Sequence, residues 1–171
     1  MATPKERVEQ ACSRHGERAV ALWCADLLAG QALPDDDVML SLGGAHAEAV
    51  LDGREKADYW PRVWAARALL YAWAPEAAPA VAAALDDGSW RVREMALKVV
   101  RLRELGEAAD AAAGLAGDEV ERVRKAAVRA LARIGEAEHA EAVRDLLDDP
   151  FAGRDAELAL REMRRRLDRP L

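Results

Sequence analysis

Aromatic residues are scarce in this chain: one Phe and two Tyr accompany five Trp among 171 residues. Runs of β-branched residues are few, and much of the 51% hydrophobic content is alanine. Alanine favours helix and lets helices approach closely, whereas sheets draw on β-branched and aromatic side chains. The sequence therefore reads as all-α. Cysteine is nearly absent too. Cys12 and Cys24 form no CxxC and have no His cluster beside them, which excludes a zinc motif. Their heights on either side of Gly16 suit a disulfide poorly, so both read as small apolar residues in a reducing compartment.

Long apolar runs are missing as well. The longest, VWAARALLYAWA at 63–74, is interrupted by Arg67 and is too short to span a bilayer. The opening MATPKERVEQ is charged and has no signal-peptide core. A soluble cytoplasmic protein without membrane association is expected. No Gly-rich phosphate loop appears, and Gly43-Gly44, with no Lys or Ser behind it, reads as a tight interhelical turn. His15, His46 and His139 lie far apart in the repeat scheme, so neither a metal site nor a Ser/His/Asp arrangement is supported. No cofactor and no enzymatic activity are expected. The formal charge of −6 argues against broad nucleic-acid binding, which needs many cations to replace counterions. The charge is uneven, however: residues 90–135 carry ten Lys/Arg against seven Asp/Glu.

What the chain does have is a period. Val123, Ala127, Ala130, Leu131 and Ile134 form one apolar stripe at helical spacing. Val92, Ala96, Val99 and Val100 repeat its frame 31 residues earlier, and Ala65, Ala68, Leu69 and Ala72 repeat it again behind Pro61. A fixed period of about thirty residues marks stacked helical pairs. Pairs are expected at 59–73 with 76–85, 90–105 with 107–116, and 119–134 with 136–147, followed by a last helix at about 153–167. Ahead of them, Thr3-Pro4-Lys5-Glu6 is a capping-box start for a first helix ending at Gly16. A second helix is expected at 17–29. After a loop at 31–37, with Asp35 or Asp36 as N-cap, short helices are expected at 38–42 and 45–51.

Two of these units resemble HEAT repeats of the short type first described in phycobilisome lyases. The residues that carry the resemblance are Asp118…Val123-Arg124…Ala127…Leu131…Ile134-Gly135 and Asp87…Val92-Arg93…Ala96…Val100…Leu105-Gly106. It covers about residues 58–167. The first unit departs from the pattern, with Pro61-Arg62 for Val-Arg and Asp58 only three residues ahead, and the second reaches its Gly two residues late. The resemblance implies a right-handed α-solenoid with an N-terminal helical cap at 1–57. Residues 58–171 would be about three HEAT-like repeats and a C-terminal capping helix. It also implies that Asp87, Arg93, Asp118 and Arg124 form a ladder tying neighbouring repeats. Recurrence in successive units suits that role better than a catalytic aspartate.

Candidate binding residues fall in two places. Trp60 and Trp64 flank Arg62 on one helical edge, and Trp64 occupies the position of Glu94 and Lys125, which is read as solvent-facing. Such an edge can clasp a peptide or stack on a base, or it can be packed beneath residues 31–57. In the resembled family the second helices line the concave face. Here they are smooth with alanine and turn polar near Asp110, Glu138, His139, Glu141 and Arg144, which would seat a partner helix or simply permit curvature. A monomeric or weakly oligomeric protein-interaction scaffold is the reading that results. The alternatives are nucleic-acid binding or base repair, by analogy with HEAT-like alkylpurine DNA glycosylases, and, more remotely, lyase-like chromophore handling.

Overall fold

The computed structural model describes residues 2–31 and 35–171, and these are all-helical: eleven α-helices joined by turns, with no strand among them. The expected loop at 31–37 falls partly outside the described residues. The chain forms two compact units, Met1–Ala84 and Leu85–Leu171. That division differs from the one drawn at 57/58 from the repeat pattern.

The first unit holds α1 (Pro4–His15), α2 (Glu17–Leu28), α3 (Asp36–Gly43), α4 (Ala45–Leu51), α5 (Trp60–Ala68) and α6 (Ala78–Ala83). Helix α1 starts as a full capping box: the Thr3 hydroxyl accepts the Glu6 N–H at 3.2 Å and the Glu6 carboxylate accepts the Thr3 N–H at 2.7 Å. Gly16, at φ +88°, permits the immediate turn into α2. Asp35 is the N-cap of α3, its carboxylate accepting the Val38 N–H at 3.0 Å. Val8, Val20, Cys24, Leu42 and Leu69 fill the interior. Helix α5 stops five residues short of the expected end. The N–H groups of Leu70 and Tyr71 turn to acceptors three residues back, and the Trp73 N–H donates to the Glu17 carboxylate at 3.0 Å. An acceptor offered from α2 satisfies a donor that would otherwise need the helix to continue.

The second unit holds α7 (Trp90–Arg103), α8 (Ala109–Gly114), α9 (Glu121–Ile134), α10 (Ala140–Arg144) and α11 (Gly153–Leu167). Helix α9 packs between α7 and α11, while α8 packs on α9 and α10 on α11. The stripe of α9 is buried throughout, as Val123, Ala127, Ala130, Leu131 and Ile134. The second helix of each pair is shorter than expected: α6, α8 and α10 have only five or six α-helical residues each. Turns of 3-10 helix precede them at Pro75–Ala77, Gly106–Ala108 and Ala137–His139. These alanine-rich segments carry no side-chain cap at their α-helical starts, and tighter i→i+3 bonds satisfy the end groups instead. The late glycine of the second repeat also has a local cause. Glu104 adopts left-handed φ (+52°), and the Leu105 N–H reaches back to the Val100 carbonyl at 3.1 Å, closing α7 before Gly106.

Candidate functional site

The α3–α4 turn lies directly on the α5 tryptophans. Trp64 is only 2% exposed, and a Cβ added at Gly43 would come within 2.6 Å of its ring. From α4, the His46 ring meets both indoles edge-on, at 4.7 Å from Trp60 and 5.4 Å from Trp64. His46 Nε2 also lies 3.3 Å from Glu55 Oε2. Trp60 and Trp64 stack with centroids 6.3 Å apart, and Trp60 is half-buried. Of the two arrangements open from the sequence, Trp64 has the covered one: Gly43 and His46, within residues 31–57, lie against it, and the solvent-facing position read from the repeat comparison does not hold. The repeat comparison misleads here for a second reason: Glu94, the equivalent residue, is itself 8% exposed, held by Lys98 at 2.9 Å and Arg122 at 3.3 Å. Arg62 Nη1 donates to the Asp58 carbonyl at 3.1 Å. Nearby, burial lowers the Arg67 pKa, with the neighbouring charge of Arg7 adding to the effect.

The polar end of the second helices is likewise rearranged. Asp110, Glu138, Glu141 and Arg144 are exposed, but His139 is buried at 7% exposure. Its Nδ1 accepts the Glu136 N–H at 2.9 Å, which leaves the proton on Nε2 to be donated to Asp110 Oδ1, also at 2.9 Å. The imidazole is thus a strut between α8 and the turn before α10, not an outward contact residue. Its orientation follows from the backbone donor it must satisfy.

Asp87, Arg93, Asp118 and Arg124 lie in a repeated arrangement. Arg93 grips Asp118 with two prongs, Nε to Oδ2 at 2.8 Å and Nη2 to Oδ1 at 3.1 Å. Its third nitrogen, Nη1, donates back to the Asp87 carbonyl at 2.9 Å. Arg124 repeats the pattern one unit later, to Asp149 at 2.9 Å and to the Asp118 carbonyl at 3.0 Å. Each aspartate also accepts the N–H two residues ahead, at 2.8 Å in all three turns, an Asx turn that fixes its carboxylate. The Asp149 carboxyl is held below the usual aspartate range by the N–H groups of Ala152 and Phe151, with Arg124 adding to them.

Sequence reasoning missed a further surface. Over α9, between α7 and α11, runs a groove of about 590 Å³ with Ala132 and Ala159 among its lining residues. Leu102 and Leu158 line it too and remain 53% and 52% exposed. By register Leu102 stands where α9 has Arg133, and Leu158 where α9 has Arg129. Two aliphatic side chains thus occupy places that the same fold fills with arginine. Around them the carboxylates are doubly held: Asp155 by Lys125 (3.5 Å) and Arg129 (2.6 Å), and Glu162 by Arg133 (3.9 Å) and Arg165 (2.7 Å). Arg133 also pairs with Glu104. Arg101, at the edge of the groove, has no ion-pair partner among the described residues.

Among the described residues, no group of three or more His, Cys, Asp or Glu side chains is placed to hold a metal ion. No helix there is long and apolar enough to cross a membrane. No family model matches the chain, and no curated protein matches it. Among solved structures, the crystal structure of an engineered protein is similar over 95% of this chain and 80% of that one, at 18% identity and a TM-score of 0.48.

Proposed function

We propose that this chain is a protein-interaction module in which HEAT-like helix pairs stack as a right-handed α-solenoid. The repeated Arg93–Asp118 and Arg124–Asp149 geometry, with the same 25-residue separation in each, supports the repeat reading. The observation that carries the function is the groove over α9. Leu102 and Leu158 are more than half exposed on a face otherwise laced with ion pairs, and an aliphatic pair left in water beside a concave strip is what a partner surface uses. The binding surface is accordingly placed on the first-helix face of the second unit. The covered Trp64 and the inward-turned His139 argue against the Trp60/Trp64 edge and the second-helix face as the binding surface.

The test is affinity capture from source-cell extract, with nuclease in half the samples and the Leu102→Asp/Leu158→Asp variant run beside the unaltered protein. A defined protein retained by the unaltered chain in both halves, and lost from the variant, supports the reading. A partner retained equally by the variant moves the function to another surface. Retention that vanishes with nuclease replaces it with nucleic-acid binding.

A further inference from the structure

Arg93 and Arg124 are half-buried, and each faces a carboxylate, Asp118 and Asp149. Arg7 of α1 and Arg67 of α5 are half-buried too, yet among the described residues neither has an ion-pair partner. Each donates only to a backbone carbonyl: Arg7 Nη1 to Ala2 at 2.6 Å and Arg67 Nη2 to Leu42 at 3.0 Å. Both reach the α3–α4 turn, Arg67 at Leu42 and Arg7 at Gly44, where an added Cβ would stand 2.9 Å from the guanidinium carbon. Arg7 Nε is sealed from water and has no acceptor. Burial and the like charge of Arg7 lower the Arg67 pKa, and no carboxylate offsets them. Buried charges in folded proteins are otherwise paired. The C-terminus of α3 offers about half a negative charge against these two positive ones, which leaves an excess of about one and a half.

We propose that Arg7 and Arg67 form a binding site for the phosphate group of a small molecule, beside the turn between α3 and α4. The edge left unbonded on Arg7, Nε with Nη2, is the edge with which Arg93 holds Asp118. Arginine takes carboxylates and phosphates alike by such a fork, through two parallel bonds. Arg7 presents the fork, and the chain supplies no oxyanion to it. Of the unbonded nitrogens on the two side chains only Arg7 Nε is sealed from water, so an anion enters at Nη2 and satisfies Nε by completing the fork. Arg67 takes a further oxygen with the nitrogens it does not spend on Leu42. Phosphate suits the site better than a carboxylate does: its charge matches the excess, and three acceptor oxygens serve two guanidiniums at once. The site belongs to the first unit and stands independently of the interaction-module reading.

The test follows thermal unfolding of the full chain while inorganic phosphate replaces chloride at constant ionic strength, with affinities read by titration calorimetry. Glycerol phosphate, a phosphomonoester, and acetate are run beside it. Both phosphates are expected to raise the midpoint saturably, with dissociation constants of about 1 mM or tighter, and acetate to bind at least about tenfold more weakly. Whichever phosphate binds tighter identifies the source, an ester or the free ion. Arg7→Gln and Arg67→Gln are each expected to weaken both phosphates at least about tenfold, while Arg14→Gln, exposed on the same helix as Arg7, leaves them unchanged. The midpoint gap between the unaltered protein and either variant therefore widens as phosphate is added. A gap that phosphate does not change shows that the arginines only hold the Ala2 and Leu42 carbonyls, and overturns the proposal. Acetate binding as tightly as phosphate, or an equal loss in Arg14→Gln, overturns it as well. If a variant fails to fold, the Nε–H resonances of Arg7 and Arg67 in the unaltered protein decide. Saturable shifts of both with phosphate support the site, and resonances that stay in place refute it.

Discussion

Arg93 and Asp118 hold each other through two nitrogens and two oxygens, at 2.8 and 3.1 Å, although 25 residues separate them. The pair is largely buried, with side-chain exposures of 12% and 5%. Removing one partner strands the other charge away from water, whereas removing both does not. Asp118→Ala is expected to lower unfolding free energy by about 3–5 kcal/mol. Arg93→Met combined with Asp118→Leu is expected to cost clearly less than the sum of the single changes. A denaturant double-mutant cycle checks this, and additive effects would contradict it.

His139 makes a prediction about tautomers. With the Glu136 N–H donated into Nδ1, the proton of the neutral ring resides on Nε2. Nitrogen-15 NMR of the folded protein at mildly alkaline pH should report the Nε2–H form for this residue. In Asp110→Ala the tautomer should persist, because the backbone donor remains. A ring carrying its proton on Nδ1 would rule out the bond to Glu136.

Gly43 tests the cover over the tryptophans. Gly43→Ala places a methyl within 2.6 Å of an indole that has almost no exposure and nowhere to move. Overpacking of this kind costs about 1–3 kcal/mol. The loss should appear as a lower denaturant midpoint followed by tryptophan fluorescence. An unchanged midpoint would mean that the α3–α4 turn does not rest on Trp64.

Asp149 carries a pH dependence. Its folded carboxyl lies below the ordinary aspartate value of about 3.9, so folding favours the ionised form. That contribution is complete above the ordinary value and disappears as pH falls through the folded one. The stability gap between the unaltered protein and Asp149→Asn should therefore stay constant from neutral to mildly acidic pH and close only in stronger acid. A gap that closes near neutrality would contradict the assignment.

The two cysteines should label unequally. Cys24 is buried, and burial raises its pKa far above the usual thiol range; Cys12 is half-buried and raised by the same cause together with Glu17 and Glu9. Maleimide labelling followed by mass spectrometry is expected to modify Cys12 slowly and Cys24 only after unfolding.

Much of the second unit was legible because its signals are periodic. The α9 stripe and the recurrent Asp-to-Arg spacing needed nothing beyond their own segments. Trp64 was legible only as a choice between exposure and a cover by residues 31–57, since that covering segment lacks the repeat pattern. His139 sits on an alanine-rich face like any solvated polar residue, and the backbone N–H of Glu136 that orients its ring leaves no mark in the residue types. The groove did leave a trace. Leu102 and Leu158 break the arginine register of α9, but an aliphatic residue on a helix is too common to stand out until the three helices are seen side by side.

The arginine bridges also have a direction. Arg93 and Arg124 each hold a carbonyl of their own turn behind them and a carboxylate of the next turn ahead, like head-to-tail monomers in a polymer. Six residues after Asp149, where the series would place its next arginine, the chain has Asp155, which receives Lys125 and Arg129 instead. Propagation stops at that inversion of sign. The last helix is therefore tied back to α9 through a carboxylate, where each earlier turn is tied forward through an arginine.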